Sequence, residues 1–158
     1  MRVERASWSD VPWIIQECMA LSEYHNADHI TPEGPYAEWR LRKYIDEGQL
    51  VLVCYNNAHE RVGFLLAFTG QHLFREMRTL SCALWWVARK YKHTSAAARL
   101  LAAFDEHARR FDYVTFTLVD GVGGEALRRR GYTPGDEVWE KAPGKPPLNR
   151  GRTDREKL

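Results

Sequence analysis

Along the chain the spacing of apolar residues changes period several times, and each change marks an element. Residues 2–6 alternate and predict a first strand. The run S-W-S-D-V-P then signals a helix start, with Ser9 or Asp10 as cap and Pro12 in the first turn, where a missing N–H costs nothing. Over Val11–Tyr24 the residues Ile14, Ile15, Cys18, Met19 and Leu21 recur at helical spacing. Residues 25–35 are polar, with Pro32, Gly34 and Pro35, and predict a loop. Trp39, Leu41, Tyr44 and Ile45 then predict a second amphipathic helix over 36–46, closed by Gly48.

Beyond Gly48 the pattern is that of strands. Leu50–Tyr55 and residues 62–69 are β-rich runs joined by N-N-A-H-E-R, a hairpin connection, and residues 79–87 form a third run. Residues 95–110 predict the clearest helix, with Ala97, Leu101, Phe104 and Ala108 on one face and Thr94 or Ser95 as cap. Residues 113–119 alternate again, 125–130 predict a short helix ending at Gly131, and the stretch around V-W-E-K-A predicts a last strand. Hairpins followed by a strand–helix–strand crossover predict an α/β domain: a mixed, mostly antiparallel central sheet with helices on both faces.

Charge divides the chain in two. Residues 141–158 hold six Lys or Arg against Asp154 and Glu156, a net of +4, so the other 140 residues carry −2 of the total of +2. A domain over residues 1–141 with a basic Pro/Gly-rich tail over 142–158 is expected, the tail being disordered or ordered by a partner. A slightly acidic domain argues against a dedicated nucleic-acid binder, leaving only a weak contribution from the tail. Cys18, Cys54 and Cys82 are odd in number and far apart, which fits reduced cytoplasmic thiols. The first residues lack the apolar core of a signal peptide, and no apolar run is long enough to cross a bilayer.

The run W-W-V-A-R-K-Y-K-H-T-S-A-A-A-R-L-L, residues 85–101, resembles the central motif of the GNAT superfamily of acyl-CoA-dependent N-acetyltransferases. That motif is a strand, a Gln/Arg-x-x-Gly-x-Gly/Ala loop and a helix, and the aligned residues are Lys92, Ser95 and Ala97. The run E-A-L-R-R-R-G-Y, residues 125–132, resembles the family's second signature, a short helix followed by a Gly-Phe pair. The resemblance covers about residues 2–141 and extends to short acetyltransferase-like proteins of bacteriophages.

It implies acetyl-CoA as co-substrate and no metal. Its pyrophosphate would lie on the amides of Lys92, His93, Thr94, Ser95, Ala96 and Ala97, and its pantetheine beside Trp86, Val87, Asp120 and Tyr132. Unpaired N–H groups at a helix start concentrate positive potential, which suits phosphate on physical grounds alone. By the same analogy Tyr24, His25, His29 and Tyr36 border the acceptor, a primary amine. A homodimer or larger assembly is a further expectation.

The chain departs from the family where chemistry is concerned. Ser95 replaces a glycine, Leu127 stands where a proton-donating tyrosine is common, and the strand T-L-S-C-A-L-W-W-V has no carboxylate. Glu76, Asp120 and His72 are the candidate bases, with Glu76 and Asp120 preferred. Otherwise the amine loses its proton to water, or the domain is a non-catalytic structural or interaction module. Cys82 is expected to be an inert core thiol. His25 and His29 have the spacing of a helical metal pair but lack its glutamate.

Overall fold

The computed structural model describes residues 1–25, 31–118 and 123–135. The last predicted strand and the basic tail lie outside these residues, as do His29 and Asp120.

Five strands form one sheet in the order of the chain: β1 (Arg2–Arg5), β2 (Leu50–Tyr55), β3 (Arg61–Gln71), β4 (Arg78–Val87) and β5 (Tyr113–Phe116). The first four pair antiparallel. β5 runs parallel to β4 because a helix, α3 (Ala96–Ala108), carries the chain back between them. The remaining helices are α1 (Val11–Tyr24), α2 (Gly34–Asp46) and α4 (Gly124–Arg128).

The strand alternation sorts side chains into two cores. Leu50, Leu52 and Cys54 of β2 pack with Leu100, Leu101 and Phe104 of α3, while Val51 and Val53 face Val11, Ile14 and Cys18 of α1 and Leu41 and Tyr44 of α2. Asp10 is the buried polar anchor of the α1 side. It accepts hydrogen bonds from Tyr55 Oη at 2.6 Å, Arg61 Nε at 2.7 Å and the Ser7 amide at 2.8 Å. Burial alone would raise its pKa, but these donors outweigh it and hold the carboxyl below the usual range.

Element ends differ from the expected ones for local reasons. α2 starts at Gly34, two residues early, because Pro35 fits the first turn, where no N–H is needed. β3 extends to Gln71, paired with Arg78. β5 stops at Phe116 because the ladder with β4 ends there: the bond from the Thr117 amide to the Cys82 carbonyl, 2.9 Å, is the last between them.

β4 itself is irregular at Ala83. Leu66 pairs with Leu84 and Ala67 with Cys82, which leaves Ala83 bulged out of the ladder. Leu80 and Cys82 therefore point to the α3 core, whereas Leu84 and Trp86 point to the α1 and α2 side, and Trp85 and Val87 return to α3.

Candidate functional site

Past Cys82 and Phe116 the parallel strands separate, and a cavity of 320 Å³ occupies the gap. Leu21, Tyr24 and Trp86 line it from one face of the sheet, Val87 and Ala97 from the other, and Thr117 and Leu118 from the far side. It ends at the start of α3, where Arg89 and Lys92 supply positive charge. Ser95 holds the N-cap position without a side-chain cap, and Thr94 Oγ1 accepts from the Ala96 amide at 3.3 Å. The amides of Ala97 and Ala98 have no acceptor among the described residues, so two donors remain at the mouth.

The Ser95 backbone answers the glycine question. Its φ of −76° lies in ordinary right-handed territory, so this turn needs no glycine. Its exposed Oγ accepts from Arg99 Nε at 3.3 Å. A glycine is required instead at Gly123, where φ is +93° and an added Cβ would lie 2.5 Å from Trp85 Cζ3. Trp85 thus seals the α3 side of the gap, edge-on to Phe116, and its buried Nε1 has no hydrogen-bond partner among the described residues.

Of the residues expected at a cofactor, Trp86, Val87, Lys92 and Ala97 line this cavity. Thr94 and Ser95 instead border a shallow concavity with Met1 and Asn56–Ala58, Ala96 is fully buried, and His93 is exposed on the loop. Tyr132 packs on Phe116 and donates to Asp105 Oδ1 at 2.8 Å, which ties the chain after α4 to α3. Burial and that bond push its pKa up, so the hydroxyl stays protonated.

Of the residues expected at the acceptor, Tyr24 and His25 line the cavity and stack around Trp86, with centroids 6.1 and 6.3 Å from its ring. Arg89 sits 5.0 Å over the Tyr24 ring. Tyr36 lies in a separate cavity between α1 and α2. Glu76 and His72 are not brought to the site. They occupy the β3–β4 turn, at the opposite end of β4 from Trp86, about 30 Å away by strand rise. Cys82 is fully buried and burial pushes its thiol up, as suits a core residue.

The carboxylate that sequence reasoning missed is Glu17. Trp86 Nε1 donates to its Oε2 at 2.9 Å, which fixes an acid on the α1 side of β4. Glu17, Leu21 and Tyr24 share one face of α1 at i, i+4 and i+7, a spacing that would have pointed to it. Among the described residues no group of three or more His, Cys, Asp or Glu is placed to hold a metal ion. None of their helices is long and apolar enough to cross a membrane.

The arrangement is shared with solved structures. One named as a probable acetyltransferase superposes with a TM-score of 0.72 at 15% identity, covering 90% of this chain and 96% of that one. A GNAT family acetyltransferase from Staphylococcus aureus gives 0.65 at 16% identity, covering 90% and 99%. A transcriptional regulator from Bacillus halodurans C-125 gives 0.72 at 14%, covering 89% and 97%. No family model matches the chain, and no curated protein matches it in sequence. The fold is the one these solved structures share, at identities of 14–16%. Their names span different roles, so the activity has to be argued from the site.

Proposed function

We propose that this protein is an acyl-CoA-dependent N-acyltransferase that moves an acetyl group to a primary amine. The observation that carries the reading is the gap between β4 and β5, which runs beside Trp85, Trp86 and Val87 to the cationic start of α3. Arg89, Lys92 and the free amides of Ala97 and Ala98 suit a diphosphate. A narrow apolar channel suits the pantetheine arm, and Asp120 remains proposed as a polar contact to it.

The acceptor would enter from the α1 and α2 side, where Glu17 stands. Its Oε1 has no hydrogen-bond partner among the described residues and is left to hold the acceptor ammonium and take one proton. As the C–N bond forms the C–S bond breaks. The amine gives up a second proton and the thiolate gains one, so the products are an amide, free CoA and a net proton. Bulged backbone at Ala83 supplies a polarising contact for the thioester carbonyl.

Calorimetry with acetyl-CoA, CoA and desulfo-CoA tests the binding half. At a hundredfold excess over Kd, stability rises by about 2.7 kcal/mol, a shift of roughly 5–10 °C for a chain of this size. No shift at millimolar acetyl-CoA refutes the reading. Thiol release with an amine panel tests the other half. The second reading, a binding module without turnover, is favoured by one observation: among the described residues no carboxylate lines the cavity itself. Binding with no thiol release would decide for it.

A further inference from the structure

A second cavity, of 520 Å³, lies between α1 and α2 and opens on β4 from the side opposite α3. Its floor is apolar: Ile14 and Cys18 of α1, Leu41 of α2, Leu66 of β3 and Leu84 of β4. Leu84 follows the bulged Ala83 and precedes Trp86 of the first cavity by two residues on the same face, about 7 Å along the strand. The two cavities therefore adjoin where the proposed thioester sits.

Two hydroxyls of this cavity are satisfied within the fold. Tyr44 Oη donates to the Ala67 carbonyl at 3.0 Å, and Thr31 Oγ1 hydrogen-bonds Ser22 Oγ. Burial raises the Cys18 thiol to about 12, with nearby Glu17 adding to the rise, so it is neutral. Arg40 is an exposed cation on the rim with no ion pair or hydrogen bond among the described residues. Glu33 is on the same rim seven residues earlier in the chain, about 10 Å away along α2, too far to neutralise Arg40 by contact.

The geometry points to this cavity as the acceptor site, and to an acceptor amine with an apolar body and a carboxylate, the carboxylate held by Arg40. The inference rests on the acyltransferase reading for the identity of the reacting amine. The recognition itself needs only the apolar floor and the unpaired guanidinium, which grips a carboxylate through two parallel N–H bonds.

Two matched pairs of probes test it on the full chain in the presence of desulfo-CoA: L-phenylalanine against 2-phenylethylamine, and 8-aminooctanoate against octylamine. Binding is measured by calorimetry or ligand-observed NMR. In at least one pair the carboxylate should bind about tenfold tighter or more, the size of a charge-assisted contact. Arg40→Gln should erase that difference without weakening the amine that lacks a carboxylate, and Arg40→Lys should retain part of it. Equal affinities in both pairs, an equal loss for both members in Arg40→Gln, or no binding of any probe would overturn the inference. Acetyl-CoA binding to the unmodified chain is measured alongside. Its absence refutes the acyltransferase reading, while the amine comparison still decides the Arg40 site.

Discussion

The indole N–H of Trp86 and the carboxylate of Glu17 meet at 2.9 Å, although 69 residues separate them in the chain. The pair joins the second half of β4 to the middle of α1 and puts a fixed negative charge where the central strand has none of its own. Glu17→Gln should therefore reduce kcat/KM for acetyl transfer by about a hundredfold at neutral pH, as loss of a general base does. The Kd for acetyl-CoA should stay the same. Trp86→Phe keeps the ring and loses the donor, and should cost about tenfold. A Glu17→Gln enzyme with an unchanged kcat/KM would remove Glu17 from proton transfer.

Gly123 is where the sequence has no latitude. Gly123→Ala combines a left-handed φ with a Cβ 2.5 Å from the Trp85 ring. About 1–3 kcal/mol of strain is expected, which lowers Tm by several degrees. Trp85→Leu in the same chain should return part of the loss by removing the obstacle. Thermal melts of the single and double variants check this.

Asp10 sets the acid limb of stability. Its folded pKa lies below the unfolded value of about 3.9, so its contribution is complete above that pH. The contribution is lost as pH falls through the lower folded value. Asp10→Asn should cost about 2 kcal/mol at pH 7, because Arg61 and Tyr55 lose a charged acceptor. Urea midpoints of variant and parent should converge between about pH 4 and pH 2. A constant gap across that range would show that Asp10 acts by shape and not by charge.

All three cysteines are buried, and burial raises the thiol pKa of each. A chromogenic disulfide reagent should label none of them rapidly in the native protein and all three after denaturation. Fast native labelling would expose a side chain that this packing encloses.

Much of the fold was legible because it follows from period. The alternation over Leu50–Tyr55 and the helical face of Leu101 and Phe104 each specify a buried side without reference to the rest of the chain. The candidate site was legible at Trp86, Val87, Lys92 and Ala97, where consecutive residues run from strand to loop to helix, and at Tyr24 and His25 through the resemblance. Glu76 was expected as a base from its nearness to the strand in sequence, but a ten-residue strand carries it away from the cavity. Glu17 escaped notice because its significance arises from a distant indole. Arg40 stands out only in three dimensions, where no ion pair or hydrogen bond among the described residues holds it.

The bulge at Ala83 makes β4 a strand read in two frames. Up to Cys82 the even-numbered side chains belong to the α3 side, and from Leu84 onward they belong to the α1 side. Deleting that one alanine would leave Leu84 next to Cys82, opposite Leu66 and Ala67, and both tryptophans would keep their faces. An extra residue inserted after Leu84 would instead exchange them, sending Trp86 into the space under α3 and Trp85 toward Glu17. Tolerance to length change should thus be confined to position 83, the one residue of the strand that the ladder does not need.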